Sequence, residues 1–278
     1  MINNKTLNNF EVNPIGIGTW KIGGAFYDGT RIDYADYDHD EESIEAIKYS
    51  IEKGQNHIDT AQIYGSGHSE EIVGKAIKRY DRTNLFIASK IWQSHLKRSA
   101  VPFAVEAMLR RLDTPYLDML YVHNAWDIEP MESYISGMCD ALDRGLTRSI
   151  AVSNFTLEKL EQATNISKHP IIANQVHYSV LTRQNVDNGM QEYCKKNNIM
   201  IVAYKPVERG VLNDEKGVLS NLAQKYNATP SQLSIAWLIS QDNTITIPKA
   251  VQKKHIDENL GALTLEITEE DRNVLNNL

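Results

Sequence analysis

A tyrosine with possible ionic partners is the first feature of this sequence that could do chemistry. Tyr64 follows Asp59 by five positions in the segment DTAQIYGSGHSEE, and Lys90 ends an apolar run farther along the chain. An unperturbed phenol has a pKa of about 10, and a nearby ammonium lowers that pKa by stabilising the phenolate. With Lys90 as the ammonium and Asp59 holding it in place, Tyr64 would be a general acid toward a carbonyl oxygen and the base in reverse.

Polar residues end apolar runs at regular intervals along the chain. They are Asp59, Lys90, His123, Ser153 with Asn154, Gln175 and Tyr204. Successive members lie roughly 20 to 35 positions apart, which suits one strand–helix unit of a parallel sheet. In a barrel, the carboxyl ends of all strands meet at one mouth, so we expect these side chains to share a rim. There His123 would hydrogen-bond the substrate oxygen, although alone it is also typical of a structural histidine.

Short apolar runs alternate with helical patterns. Eight runs are typical of strands, several of them buried on both faces: 14–20, 56–59, 85–90, 117–122, 148–153, 171–176, 199–204 and 244–247. Helices are predicted over 41–53 and 99–112 from their apolar periodicity. A capping box, Thr229 to Gln232, opens another helix, and Thr268 caps a short one over 268–277.

This alternation, without a linker rich in glycine, serine or proline, predicts one α/β domain over residues 1–278, a (β/α)8 TIM barrel with a parallel eight-stranded core. The alternative is an open doubly wound sheet, which usually carries G-x-G-x-x-G after its first strand. Here Lys21 stands where the third glycine after Gly16 and Gly18 belongs. The fingerprint fails, so the sequence favours the barrel.

Charge and composition exclude several classes of protein. The chain has 278 residues, a net charge of −7 and no visible basic face, which argues against nucleic-acid and membrane partners. Two cysteines without metal spacing, no signal peptide and no membrane-length apolar run predict a cytoplasmic protein. The segment 33–42 holds six carboxylates but lacks the spaced ligands of a calcium loop. It favours a solvated loop over a cation site, and we predict no bound metal.

The set Asp59, Tyr64, Lys90 and His123, in the contexts DTAQIYG, ASK and LYVH, resembles the catalytic tetrad of the aldo-keto reductase family. The resemblance covers nearly the whole chain, from GIGTW to IPKA and ENL, and is to the compact microbial type with short substrate loops. It implies a (β/α)8 barrel with NADPH or NADH extended across its mouth. It also implies reversible hydride transfer between the nicotinamide and an aldehyde, ketone or alcohol.

The resemblance also assigns residues to the cofactor. Those implied are Gly18, Thr19, Trp20, Ser153, Asn154, Gln175, Tyr204, Lys205, Pro206, Val207, Arg209, Gly210, Lys249, His255, Glu258 and Asn259. Among them, Ser153, Asn154 and Gln175 would hydrogen-bond the nicotinamide carboxamide, and Tyr204 would stack on the nicotinamide ring. Lys249 would contact the phosphate on the adenosine ribose.

Two departures from the family pattern concern cofactor choice. NADPH-preferring members commonly have serine or threonine at Ala250 and arginine at His255, and a neutral imidazole cannot replace a guanidinium. Lys253 and Lys254 could compensate as point charges. Lys205 replaces the usual serine and adds a cation. The sequence therefore favours NADP(H) and leaves NAD(H) possible.

Aromatic residues are the candidates to line the substrate pocket. The residues predicted to contact substrate are Trp20, Tyr27, Tyr64, Trp92, His123 and Trp126. An apolar, aromatic entrance suits aliphatic, aromatic or sugar-derived carbonyl compounds. Trp20 and Tyr204 could also be barrel-core aromatics. The chain is expected to act as a monomer or weak homo-oligomer.

Two other functions remain compatible with these residues. A redox-sensing or regulatory barrel would bind the same cofactor with little turnover. A Schiff-base aldolase would use Lys90 as a neutral amine, whereas the predicted pairing with Asp59 favours the charged form.

Overall fold

The computed structural model describes residues 3–25, 34–92, 97–124, 130–208 and 217–278. Its strands are β1 (Lys5–Leu7), β2 (Phe10–Val12), β3 (Ile17–Gly18), β4 (Gly24–Ala25), β5 (Tyr34–Ala35), β6 (His57–Asp59), β7 (Phe86–Ile91), β8 (Met119–Val122), β9 (Ile150–Ser153), β10 (Ile171–His177), β11 (Met200–Tyr204) and β12 (Thr244–Thr246). Its helices are α1 (Asp40–Glu52), α2 (His68–Ile77), α3 (Val101–Leu112), α4 (Met131–Asp143), α5 (Leu157–Ile166), α6 (Met190–Lys196), α7 (Val218–Lys225), α8 (Pro230–Ile239), α9 (Lys253–Gly261) and α10 (Glu269–Leu275).

Eight of the strands form one sheet in the order β3, β6, β7, β8, β9, β10, β11, β12. Every neighbouring pair in this order is parallel. Helices lie between successive strands, as α2 does between β6 and β7 and α3 between β7 and β8. The eight strands predicted from apolar runs are confirmed, with shorter bounds in most cases.

Backbone hydrogen bonds between the two edges of this sheet close it into a barrel. The Gly16 amide donates to the Thr246 carbonyl at 2.7 Å, and the Thr246 amide donates to the Pro14 carbonyl at 2.9 Å. A side chain at Gly18 would overlap the Ile247 carbonyl oxygen, so only glycine allows the strands to meet there. The predicted (β/α)8 barrel is confirmed, and the doubly wound alternative is wrong.

Alternation along the strands separates an inner from an outer core. In β7, Phe86 and Ala88 join the cluster inside the barrel, whereas Ile87 and Ile91 join the cluster between strands and helices. Lys90 alternates with the same spacing as Phe86 and Ala88, so its side chain points to the same side of β7 as theirs. An amine is therefore placed inside the barrel near its carboxyl-terminal end.

The helix signals of the sequence are confirmed. α1, α3 and α10 match the predicted segments to within a few residues. Thr229 and Gln232 form the capping box of α8, and the Thr268 hydroxyl accepts from the Asp271 amide at the start of α10. No helix in the described ranges is long and apolar enough to cross a bilayer.

Two short antiparallel hairpins were not predicted from the sequence. β1 pairs with β2, and β4 pairs with β5. β3 is equally short, but it lies within the apolar run 14–20, whereas the hairpin strands belong to no such run. The prediction of a solvated loop over 33–42 is wrong in part, because Tyr34–Ala35 forms β5 and Asp40 opens α1. Carboxylates suit that first helical turn, where the backbone amides carry partial positive charge.

Candidate active site

Neighbouring strands bring the four predicted catalytic residues to one end of the barrel. Asp59 ends β6, Lys90 lies one residue before the end of β7, and His123 directly follows β8. Tyr64 begins a single turn of 3-10 helix, Tyr64–Gly67, between β6 and α2. Since β6, β7 and β8 are adjacent and parallel, their carboxyl ends place these side chains together.

A buried ion pair forms the floor of the site. Lys90 Nζ contacts Asp59 Oδ1 and donates to the Thr60 carbonyl at 2.8 Å, and the side chains of Lys90 and Asp59 are 0% and 2% exposed. Gln175 Nε2 donates to the second carboxylate oxygen at 2.8 Å. Burial lowers the pKa of Lys90, and the charge of Asp59 opposes that shift. The ammonium is thereby held in one position.

Tyr64 lies over this ammonium and is itself buried. Lys90 Nζ lies 5.3 Å from the centroid of the Tyr64 ring. Burial raises the pKa of Tyr64 well above its ordinary value, and the negative charge of Asp59 adds to that shift. The expectation of a lowered pKa is wrong for this site, because burial disfavours the phenolate and the charge of Asp59 acts in the same direction. The phenol therefore carries its proton throughout the neutral pH range.

His123 stands beside the phenol. Its ring meets that of Tyr64 edge to face, with centroids 5.6 Å apart, and that of Trp92 at 5.5 Å. Burial, with the charge of Lys90, holds the pKa of His123 well below its ordinary value. A neutral imidazole has one N–H to donate and one nitrogen to accept, so His123 can hydrogen-bond a neutral oxygen without carrying charge.

Close backbone packing fixes the turn that carries Tyr64. Gly65 has a φ of 56°, and a side chain there would overlap the Gly23 carbonyl oxygen. Ser66 follows with a φ of 53°. The hairpin β4–β5 thus rests directly on this turn, and glycine is required where the backbones meet.

Three members of the tetrad, Asp59, Tyr64 and His123, border a cavity of about 620 Å³. The predicted residues that line it are Gly18, Thr19, Trp20, Asp59, Tyr64, His123, Ser153, Asn154, Gln175, Tyr204, Lys205, Pro206, Val207, Lys249, His255, Glu258 and Asn259. Two predicted residues stand behind this lining: Lys90 is buried against Asp59, and Trp92 packs against His123. Tyr27, Trp126, Arg209 and Gly210 lie outside the described residues.

Some lining residues were not predicted from the sequence. They are Lys21, Asn124, Ser231, Ile247 and Pro248. A signal existed for most of them, because Lys21, Asn124 and Pro248 are immediate neighbours of predicted residues. Ser231 had none, since it lies in the first turn of α8 and enters the cavity only through the packing of that helix.

Amide and hydroxyl groups converge at the tetrad end of the cavity. Ser153 Oγ donates to the Gln175 carbonyl at 3.1 Å, and the Tyr204 hydroxyl donates to Asn154 Oδ1 at 2.7 Å. Asn154 Nδ2 in turn donates to Asn124 Oδ1 at 3.2 Å. Asn154 has a φ of 61°, a conformation in which asparagine is enriched among residues other than glycine.

The cavity lining also contains a group of cationic and titratable side chains. Lys21, Lys249 and His255 belong to it, and burial, with the charge of Lys21, lowers the pKa of Lys249. Glu258 accepts from Thr229 Oγ1 at 2.8 Å and lies 3.2 Å from His255 Nδ1. Such a cluster suits an anionic group of a ligand. In the described part of the chain, no group of three or more His, Cys, Asp or Glu residues is arranged to hold a metal ion.

Known proteins resemble this chain over most of its length. The sequence model of the Aldo/keto reductase family matches residues 14–278. The crystal structure of the thermostable aldo-keto reductase Tm1743 with the inhibitor epalrestat is 39% identical, with a TM-score of 0.92 over 99% of this chain and 98% of that one. An aldo/keto reductase from Klebsiella pneumoniae in complex with NADP and acetate is 28% identical, with a TM-score of 0.88 over 100% and 95%. Methylglyoxal reductase DkgB of Salmonella typhi is 32% identical, over 85% and 87%.

Proposed function

Since this chain belongs to the Aldo/keto reductase family, we propose that it reduces small aldehydes and ketones to alcohols, and catalyses the reverse oxidation, with NADP(H) as the hydride carrier. The observation that carries the proposal is a buried phenol, Tyr64, next to a fixed ammonium, Lys90, at the floor of the cavity. This arrangement can give a proton to an oxygen and then stabilise the phenolate that remains.

Tyr64 is the proposed general acid. Its raised pKa keeps the proton in place until an alkoxide, a far stronger base than a phenolate, forms beside it. When bound, NADPH would provide the hydride for the carbonyl carbon. The proton leaves Tyr64 Oη for the alkoxide oxygen, and Lys90 then faces a phenolate instead of a neutral ring. His123, being neutral, orients the same oxygen by a hydrogen bond.

Two groups of lining residues support the cofactor assignment. The amides of Asn154 and Gln175 suit a carboxamide, and the ammonium groups of Lys21 and Lys249 suit phosphate. The relative from Klebsiella pneumoniae was crystallised with NADP and acetate. The proposed cofactor is therefore NADP(H), bound in this cavity.

The geometry does not favour the aldolase alternative. A Schiff-base lysine must be a neutral amine within reach of substrate. Lys90 is 0% exposed, and its Nζ contacts both Asp59 and the Thr60 carbonyl. A lysine so paired is suited to hold charge beside Tyr64.

Tyr64→Phe tests the proposal directly. Removing the hydroxyl leaves the ring in place, so we expect NADPH affinity to be kept within about twofold while aldehyde turnover falls by about 10²- to 10⁴-fold. Steady-state NADPH oxidation with a panel of short-chain and aromatic aldehydes measures turnover, and quenching of protein fluorescence measures binding. Undiminished turnover in the variant would contradict Tyr64 as the acid. A parent that binds NADPH yet reduces none of the panel would instead favour the regulatory barrel.

Lys249→Ala tests the cofactor assignment. If Lys249 contacts the ribose phosphate, we expect NADPH binding to weaken by about tenfold or more, because a charged hydrogen bond is lost. NADH lacks that phosphate, so its affinity is expected to change by less than about threefold. Titrating both cofactors into the parent and the variant gives the comparison, and equal losses would remove the assignment.

A further inference from the structure

A histidine–glutamate pair lies just outside the cavity, behind Tyr204. His177 Nε2 lies 2.9 and 3.1 Å from the two carboxylate oxygens of Glu208, and Ser179 Oγ donates to the same carboxylate. Neither His177 nor Glu208 lines the cavity. The pair is therefore placed to act on the site only through its neighbours.

The imidazole of His177 supports an aromatic wall of the cavity. Its ring is stacked on that of Tyr204, with centroids 5.5 Å apart and planes 16° from parallel. His177 and Tyr204 are paired across β10 and β11, which brings the rings into contact. Tyr204 lines the cavity, and its hydroxyl is fixed by Asn154. Asn154 thus holds the Tyr204 ring at its hydroxyl, and His177 holds it by stacking on its face.

The carboxylate of Glu208 also fixes the turn after Tyr204. Lys205 and Glu208 have φ values of 53° and 45°, in the left-handed region that residues other than glycine rarely adopt. Such residues persist where their surroundings hold them, and they cluster at functional sites. Between them, Pro206 and Val207 line the cavity. His177, Ser179 and Thr182 hydrogen-bond the carboxylate of Glu208, and the Glu208 amide donates to the Lys205 carbonyl at 3.1 Å. These contacts together hold Glu208 in this conformation.

We propose that His177 and Glu208 are positioning residues for the nicotinamide cofactor. Glu208 orients the imidazole, the imidazole sets the plane of the Tyr204 ring, and the same carboxylate holds the turn at 205–208 against the cavity. The inference rests on the proposed function, because it takes NADP(H) as the ligand of that wall. It predicts that the pair acts on cofactor affinity and leaves the proton-donating step at Tyr64 intact.

The variants are His177→Ala, Glu208→Gly and the double variant. Glycine adopts the left-handed backbone without strain, so Glu208→Gly removes the carboxylate while sparing the fold. The matched control is His169→Ala, which removes another histidine–carboxylate pair, with Asp143 at 2.7 Å, away from the cavity. Quenching of protein fluorescence measures the binding of NADPH. Steady-state kinetics with an aldehyde at saturating NADPH gives kcat, and thermal unfolding gives the melting temperature.

We expect each single variant to raise the Kd for NADPH by about tenfold, the size of one lost aromatic contact. We expect kcat at saturating NADPH to stay within about threefold. The Kd of the double variant for NADPH is expected to be no higher than that of the single variant with the higher Kd, since the two residues act as one unit. Glu208→Gly is expected to keep the melting temperature of the parent, and His169→Ala the Kd of the parent.

A Kd within twofold of the parent in folded Glu208→Gly would overturn the inference, as would a fall in kcat as large as the loss of affinity. An equal loss of NADPH affinity in His169→Ala would show that removing any histidine–carboxylate pair has this effect. That result would also overturn the inference. A parent that binds no NADPH would overturn the proposed function and this inference together. These failures are therefore distinguishable.

Discussion

Two clusters of the barrel use the same three kinds of side chain, a buried carboxylate, a cation and a tyrosine ring, and differ in what they do. In the cluster at the mouth, Asp59 pairs with Lys90, and the ammonium lies 5.3 Å from the ring centroid of Tyr64. Tyr64 and Asp59 both border the cavity. The charge of this cluster faces a space that a ligand can enter.

The second cluster lies at the amino end of β8. Arg82 pairs with Asp118 at 2.6 Å, and its Cζ lies 4.2 Å from the ring centroid of Tyr116. Arg148 covers the ring at 3.7 Å. Arg82 also donates to the carbonyls of Leu85 and Tyr116, at 2.7 and 2.8 Å. None of these five residues lines the cavity, so the cluster ties backbone segments together.

The difference shows that composition does not decide the role of a charged cluster. A guanidinium presents five donors in a rigid plane. Those of Arg82 bind two carbonyls, a carboxylate and the Thr114 hydroxyl, as suits a structural tie. An ammonium is a compact point charge, and Lys90 places it 5.3 Å from the ring centroid of Tyr64 and 5.8 Å from that of Tyr121. The barrel adds the second distinction, because sites form at the carboxyl ends of its strands and stabilising contacts at the amino ends.

The largest expected effect comes from removing the charges at the mouth. In Asp59→Asn/Lys90→Met both charges leave together, so no unpaired buried charge remains and the fold is expected to persist. Without the ammonium, the phenolate is not stabilised, and we expect turnover to fall by about a thousandfold. Aldehyde-dependent NADPH oxidation and thermal unfolding measure the two quantities. If the double variant kept turnover within tenfold of the parent, the charges at the mouth would not serve catalysis, and the two clusters would not differ in role.

The matched change in the other cluster is expected to act on stability instead. Arg82→Met/Asp118→Asn strips the donors from two backbone carbonyls, and we expect the free energy of unfolding to fall by about 3 kcal/mol. Turnover per folded molecule is expected to stay within about twofold, because the cluster lies away from the cavity. Urea unfolding and the same kinetic assay measure these values. A large loss of turnover in the folded variant would mean that the second cluster also serves the site.

The smallest expected effect is that of pH on aldehyde reduction. The proposed mechanism requires the acid form of Tyr64, and the pKa of Tyr64 is raised, so this form is lost only above the ordinary value of about 10. His123 has a lowered pKa and stays neutral over the same range. We expect kcat/KM for aldehyde reduction to vary by less than about twofold between about pH 6 and 9. A decline on the alkaline side of that range would indicate a lowered phenol pKa in the working enzyme.

Much of the fold was predictable because its signals are local. The apolar runs that became β7 and β8, and the capping box Thr229 to Gln232, depend on residues close together in sequence. The hairpin β4–β5 was missed because its two-residue strands lie in no longer apolar run, unlike β3 within 14–20. It nevertheless packs on the turn of Tyr64, so a contact that positions the candidate acid came from a segment with no signal.

The sequence by itself determined which side chains reach the mouth of the barrel. Strand order and alternation are encoded in apolar runs, and they carry Asp59, Lys90 and His123 to the same end. Only the tertiary structure decided how these groups act on one another. The direction in which the pKa of Tyr64 shifts depends on how deeply the phenol is buried and on its closeness to the charge of Asp59. Desolvation and Coulomb energies vary with distance and exposure, and only the folded chain sets those.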